Sequence, residues 1–261
     1  GRIKLAAACL DAQKRVTKLG VQYANEREQF KTKIIDFEAI KEKIAQMATD
    51  SYVGESACYR ASKDIEDRIN IRHKSGNSFQ DAELKGVEEY VIECSILKVA
   101  VSEDCQNIAD EGIQIFGGMG FSADTPMESA WRDSRISRIY EGTNEINRML
   151  SIGMILKKAM KGELDIMSAY QDIIENKSQE IIEDSNELND EIILVENMKK
   201  VFLLLLGKSF EKFGPEIDKN QQVLLSLSDL AIETYISEST LKRTVKNIKR
   251  TSTIDQEFQI S

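Results

Sequence analysis

The feature that most constrains the fold is how seldom the chain is interrupted. Only two of its 261 residues are proline, Pro126 and Pro215, and aromatic residues are few beside abundant Ala, Leu, Ile, Glu and Lys. Proline is the strongest helix breaker, and most of the abundant residues are good helix formers. No stretch shows the alternation expected of strands. The sequence therefore predicts an all-α protein.

The spacing of apolar residues indicates four long amphipathic helices in the first 162 residues. The first is expected to begin at Arg2, and the second to cover about residues 37–69. The third is expected to end at about residue 114, and the fourth to run from residue 146 to near residue 162. The first carries a stripe of Ile3, Ala6, Leu10, Val16, Leu19 and Tyr23. Long helices with short joints predict an antiparallel up-down four-helix bundle over residues 1–162.

Beyond Gly162 the composition changes. Residues 163–196 are acidic and poor in aromatic residues, which predicts a linker or loosely held helices. Residues 197–261 predict a smaller helical C-terminal domain with helices at about 198–213 and 221–248, separated by the stop signal Gly214-Pro215.

Charge and cysteine content limit the functional classes. The net charge of −9 disfavours a nucleic-acid partner. The four cysteines are scattered, and His73, the only histidine, lies in a polar run expected to be a loop, so no metal site is predicted. Free thiols fit a reducing cytoplasm. No apolar run approaches the roughly 20 residues that a membrane span needs.

The passage from Arg138 to Glu145 is the strongest candidate for chemistry. It places Glu141 before Gly142, where the backbone can turn sharply and a planar ligand can approach closely. Thr143 or Asn144 can cap the next helix, whose N-terminus would face an anion. The alternative interpretation is that these residues form a joint between two helices and that the Glu141 carboxylate is simply solvated.

Two motifs carry a resemblance to a known family. Residues 132–148, RDSRISRIYEGTNEINR, resemble the C-terminal signature of the acyl-CoA dehydrogenases, and residues 114–121, QIFGGMGF, resemble their flavin-contacting turn. Residues 41–47 and 52–56, and the continuation past residue 160, resemble the very-long-chain branch. The resemblance is strong to about residue 160 and weak beyond it.

This resemblance implies an FAD-dependent dehydrogenation of long-chain acyl-CoA to trans-2-enoyl-CoA in fatty acid β-oxidation. Glu141 would be the base, and Arg2 and Gly142 would lie at the acyl-CoA site. The cofactor-binding residues would be Arg27, Gln29, Gln114, Ile115, Phe116, Gly117, Gly118, Thr143, Asn144 and Glu145. The sequence departs from the family at Lys31, where relatives have glycine, and at Glu38 and Glu145, where many have glutamine.

The same resemblance implies partners. These are an electron-transfer flavoprotein as the oxidant and a second copy of the chain in a homodimer or higher homo-oligomer. Relatives place two further domains before Arg2, so the chain alone is expected to be inactive and to lack stable FAD. An acyl-CoA oxidase and a non-catalytic helical dimerisation module are the alternatives. The tail's basic residues offer either weak membrane association or a solvated face: Lys242, Arg243, Lys246, Lys249 and Arg250.

Overall fold

The structure is a computed structural model that describes residues 1–175 and 188–251. These residues form α1 (Arg2–Glu26), α2 (Glu38–Lys74), α3 (Phe79–Glu89), α4 (Val91–Phe116), α5 (Gly118–Phe121), α6 (Pro126–Ser137), α7 (Asn144–Met160), α8 (Ile166–Ile174), α9 (Asn189–Phe213) and α10 (Gln221–Thr251). Short 3-10 helices cover Ile34–Asp36 and Gly214–Lys219, and β1 (Glu28–Gln29) pairs with β2 (Thr32–Lys33) in a small antiparallel hairpin. The all-α prediction is confirmed.

The end of α2 corrects one prediction. His73 is helical, because α2 continues to Lys74. The last turn carries three basic residues, which interact favourably with the negative end of the helix dipole. Gly76 then adopts a φ of 93°, and its N–H donates to the His73 carbonyl, which ends the helix.

The stretch expected to form one helix as far as Gln114 is divided into α3 and α4. Tyr90 lies between them, and the α4 backbone ends only at Phe116. Ser78 caps α3 by accepting a hydrogen bond from the Asp81 N–H, so the chain begins a new helix there.

The segment expected to be a linker or loosely held helices is partly helical. Asp165 caps α8 by accepting from the Ser168 N–H, and Tyr170 is buried, donating from its hydroxyl to Glu211 of α9 at 2.8 Å. Residues 176–187 of the predicted linker lie outside the described residues. The domain boundaries after residues 162 and 196 stay predictions.

The chain divides into two compact units, and the first contains residues 1–59, 97–144 and the end of α10 from residue 247. Its core joins α1, α2, α4 and α6. Buried Gln13 donates to the Val101 carbonyl at 2.9 Å, and Lys43 pairs with Glu111 at 2.6 Å. One cluster of buried apolar residues in this core consists of Val16, Ala24, Ile34, Met47, Ile108, Ile115 and Met127.

The second unit contains residues 60–96 and 145–246. Its apolar core draws on α7, α9 and α10 and consists of Ile152, Leu156, Leu206, Ile217, Leu224, Leu227 and Ala231. Polar contacts also join α7 and α10: the hydroxyl of Ser151 in α7 lies 3.0 Å from the hydroxyl of Ser228 in α10. Arg148 donates to Asp229 at 2.6 Å.

A charge cluster in the second unit centres on Glu238. Its carboxylate pairs with Arg60 at 2.7 Å, Lys199 at 2.8 Å and Lys242 at 3.0 Å. Burial opposes ionisation of this carboxyl, but the three cationic donors outweigh burial and lower the pKa of Glu238 to about 2. Lys242, one of the basic tail residues, is therefore engaged within the protein.

Across residues 1–175 and 188–251, every helix is too short or too polar to be a candidate membrane span.

Candidate active site

The turn between α6 and α7 holds Glu141 in an uncommon backbone conformation. Glu141 has a φ of 59°, and Gly142 has a φ of 83°. Glycine adopts such angles readily, but a residue with a Cβ does so at a cost of about 1–2 kcal/mol. Strain of this kind tends to persist at functional sites, where the surrounding structure imposes it.

The Glu141 carboxylate lies against the start of α1. A Cβ added to Gly1 would overlap the carboxylate oxygens of Glu141. The next residue, Arg2, is half-buried, and its Nε is hidden from solvent without a hydrogen-bond partner in the described part of the chain. The structure thus brings Glu141, Gly142 and the start of α1 with Arg2 to one place.

Both ends of the turn are fastened to α4. Asn144, the first residue of α7, is buried and accepts a hydrogen bond from Lys98 at 2.5 Å. Its amide nitrogen donates to Glu103 at 3.0 Å and to Ser102 at 3.1 Å. At the other end, Arg138 donates to Gln106 at 2.8 Å. The Asn144 side chain is therefore directed into the protein, so a cofactor contact there would need its backbone.

Thr143 and Glu145 flank Asn144. Thr143 is half-buried just before α7, and Glu145 is exposed in the first turn of that helix.

A pair of buried thiols lies close to the end of α6. The Cys9 thiol is hydrogen-bonded to Cys105, and this contact is the largest cause that lowers the pKa of Cys9 to about 7. Burial opposes the shift, while the Ser137 hydroxyl and the Lys98 charge assist it. The pKa of Cys105 is raised, mainly by the same hydrogen bond to Cys9. Within the described residues, no group of His, Cys, Asp or Glu could hold a metal ion.

A second group of predicted residues lies at the far end of α1. Arg27 ends that helix, and Gln29 lies in β1, and both side chains are exposed. The hairpin turns through Phe30 and Lys31, with φ of 54° and 64°. Lys31 thus keeps the left-handed geometry that the glycine of relatives would favour, and both side chains project from a sharp turn.

The end of α4 lies beside the end of α1. The Phe116 ring stacks on Tyr23 with centroids 4.1 Å apart, and Ile115 is buried in the core of the first unit. Gln114, Gly117 and Gly118 are exposed. A Cβ added to either glycine would meet nothing within 4 Å, so a ligand can approach the backbone closely here. Ile115 can reach such a ligand only through its backbone.

The two groups are separated by the length of α1. This helix has 25 residues, which at ~1.5 Å per residue is roughly 37 Å. The predicted residues therefore form two clusters: Glu141, Gly142, Arg2, Thr143 and Asn144 at one end, and Arg27, Gln29 and residues 114–118 at the other.

Lys98, which donates a hydrogen bond to Asn144 of the first cluster, was missed by sequence reasoning. It is fully buried and lies in the apolar run from Ile96 to Val101. A lysine inside such a run was the available signal, since lysine is almost never fully buried without partners.

Comparisons with known proteins extend over nearly the whole chain. Residues 1–156 match a family model described as the acyl-CoA dehydrogenase C-terminal domain, and residues 197–260 match a second model with the same description. A probable acyl-CoA dehydrogenase of Bacillus subtilis is 42% identical over 252 residues, which are 95% of this chain and 42% of that protein. The mitochondrial very long-chain specific acyl-CoA dehydrogenase of Rattus norvegicus is 37% identical over 149 residues, covering 57% of this chain and 20% of that protein.

Solved structures give the same result. An acyl-CoA dehydrogenase complexed with FAD from Bacillus anthracis matches with a TM-score of 0.92 and 38% identity, over 100% of this chain and 44% of that one. Acyl-CoA oxidase 3 of Yarrowia lipolytica shares the fold, with a TM-score of 0.72 and 17% identity over 100% of this chain and 40% of that one. The chain thus spans less than half the length of these relatives. Its motifs, its helices and both matched models agree, and the chain belongs to the acyl-CoA dehydrogenase family.

Proposed function

We propose that this chain is the C-terminal part of an FAD-dependent acyl-CoA dehydrogenase in which Glu141 removes the α-proton of a long-chain acyl-CoA. The observation that carries this proposal is the backbone of Glu141, held at a φ of 59° beside Gly142 and the start of α1. A carboxylate on a strained turn fits a positioned base better than it fits a solvated joint.

The chemistry assigned to Glu141 is a proton transfer. The α-hydrogen of a thioester is weakly acidic, so a carboxylate must be held within hydrogen-bonding reach of it. The negative charge that develops on the thioester carbonyl needs nearby donors, and in the family one of them is the backbone N–H of the base itself. Gly142 leaves room for the thioester beside that N–H. Arg2 adds a positive charge at the same end of α1.

The residues present fit the FAD that the family requires. The exposed Arg27 guanidinium is suited to the pyrophosphate, and the open backbone at Gly117 and Gly118 admits a ligand without steric conflict. Gln29 and Gln114 add exposed amide groups at that end. When bound, FAD would accept the hydride from Cβ. The four buried thiols fit a reducing cytoplasm as the site of this reaction.

Electron-transfer flavoprotein is the proposed oxidant of the reduced enzyme. Similarity to the Yarrowia acyl-CoA oxidase is at the level of the fold, so oxygen is the second candidate. The two are separated in the full-length enzyme by following reduction of electron-transfer flavoprotein without oxygen and peroxide formation in air. A peroxide yield equal to substrate consumed would identify an oxidase.

The proposal is tested by Glu141→Gln in the full-length enzyme, assayed with a panel of acyl-CoA chain lengths and a dye acceptor. We expect FAD to remain bound and turnover to fall about 10²-fold or more, since a positioned base contributes that much. Glu83→Gln is the matched control, because Glu83 is an exposed residue of α3. Activity of Glu141→Gln above about one per cent of the unsubstituted enzyme would reject Glu141 as the base.

A further inference from the structure

A buried cation lies next to the turn that carries Glu141. The Lys98 side chain is fully buried in the first unit. Burying an ammonium group is costly unless it is well hydrogen-bonded, and such expense is tolerated mainly where the group has a role. Lys98 donates to the Asn144 side-chain oxygen at 2.5 Å.

Lys98 lies in the apolar run from Ile96 to Val101 of α4 and begins a row of polar side chains along that helix. Lys98, Ser102 and Gln106 recur every four residues and so lie along one helix face, and Glu103 borders that face three residues before Gln106. We refer to these four residues as the α4 polar stripe. Its members make hydrogen bonds with the two ends of the turn.

The contacts of the stripe leave little freedom at either end of the turn. Lys98 fixes the Asn144 amide oxygen, which directs the amide nitrogen to Ser102 and Glu103. Glu103 also faces Arg138 at 3.5 Å, so one carboxylate links both ends. The Asn144 N–H donates to the Arg138 carbonyl at 3.0 Å, which closes the turn.

Glu141 and Gly142 lie within this closed turn, both with positive φ. A glutamate leaves that conformation readily unless its surroundings over-determine it. Because the two ends are fastened to one helix face, the intervening backbone has few other ways to connect them.

We infer that the α4 polar stripe, with Lys98 at its buried end, positions Glu141 for proton abstraction by clamping Arg138 and Asn144. This inference rests on the proposed function, because it takes Glu141 to be the base. Lys98 is a positioning residue that acts through Asn144. Its loss should therefore slow the proton transfer more than it weakens acyl-CoA binding.

The test uses Lys98→Met in the full-length, FAD-loaded enzyme. Methionine keeps an unbranched stem in the core but donates no hydrogen bond. We expect kcat to fall about tenfold or more, with KM for acyl-CoA within about threefold, since a displacement of about 1 Å can cost up to 10²-fold in rate. Lys43→Met is the matched control, because Lys43 also pairs with a residue of α4, Glu111, but away from the turn. The kcat of this variant should be unchanged.

Proton abstraction is read directly with a 3-thia-acyl-CoA, in which sulfur replaces Cβ so that dehydrogenation is blocked. Deuterium incorporation at Cα in D2O is followed by mass spectrometry. Lys98→Met should slow this exchange by the same factor as kcat. Unchanged exchange, or a fall in kcat that exchange does not follow, would overturn the positioning role.

Glu141→Gln, measured alongside, separates the two proposals. If Glu141→Gln exchanges at the full rate, the proposed base is wrong. If it is inert while Lys98→Met exchanges normally, only the positioning inference fails. Gln106→Met, at a half-buried site, is the second variant should Lys98→Met not hold FAD, and an undiminished kcat and exchange rate in that variant would also refute the clamp.

Discussion

The positive φ of Glu141 predicts that glycine is more stable than alanine at this position. Glu141 has a φ of 59° and a largely exposed side chain. Alanine and glycine both remove its carboxylate, so the difference between Glu141→Ala and Glu141→Gly isolates the backbone. The left-handed conformation costs alanine about 1–2 kcal/mol. Glycine avoids that cost but loses about 0.5–1 kcal/mol more conformational entropy on folding. Glu141→Gly should therefore be more stable than Glu141→Ala by roughly 0.5–1 kcal/mol.

The opposite sign is expected at an ordinary helical position. Glu42 is exposed in α2, in the same unit as Glu141. Glycine in a helix interior is about 1 kcal/mol less stable than alanine, so Glu42→Gly should unfold at lower urea than Glu42→Ala. The free energy of unfolding of the four full-length variants is measured by urea titration, followed by circular dichroism at 222 nm. If glycine is the less stable residue at both positions, Glu141 is not held at positive φ in solution, and the strain argument fails.

Three further outcomes follow from other contacts. Because the pKa of Glu238 is lowered to about 2, its ion pairs stabilise the second unit at a pH above the unfolded-state pKa of about 4.3, and this stabilisation is lost as the pH falls towards 2. After allowance for screening by solvent, Glu238→Gln should lower the free energy of unfolding by about 1–2 kcal/mol at pH 7 and by little at pH 2. Urea titration at both pH values measures this difference. Lys31→Gly, at a φ of 64°, should raise the urea midpoint, whereas Lys33→Gly, with an ordinary φ of −62°, should lower it. Gly207→Ala would push a methyl group into the buried Tyr170 ring and should lower the free energy of unfolding by about 1–3 kcal/mol, and a thermal midpoint equal to that of the unsubstituted protein would contradict the packing.

The fold class and the cluster around Glu141 were accessible from the sequence because both depend on local signals. Helical periodicity, scarce proline and the glycine after Glu141 each act within a few residues. The resemblance then identified the carboxylate and Arg2, and the structure brings Glu141 beside the start of α1. Gly142 adopts the positive φ that was expected of it, but Glu141 also adopts one, and a glutamate carries no local signal for that conformation.

Features set by distant contacts were not predictable in the same way. The burial of Lys98 depends on Asn144, 46 residues later in the chain. The break at Tyr90 has no proline beside it, and the extension of α2 through His73 depends on a cap formed at Gly76. In each case local composition favoured one outcome, and a hydrogen bond or a core contact selected another.

The length of α1 bears on how a complete site would be assembled. The Glu141 cluster and the cluster of Arg27 and Gly117 lie at opposite ends of a helix roughly 37 Å long, in a unit whose core packs along that helix. The homodimer that the family resemblance implies stays a prediction, and in it two-fold pairing would let the Arg27 end of one protomer complete the site of the other. If the two clusters serve different FAD molecules in this way, Arg27→Ala should weaken FAD retention without slowing proton abstraction by Glu141 in the enzyme that keeps its FAD.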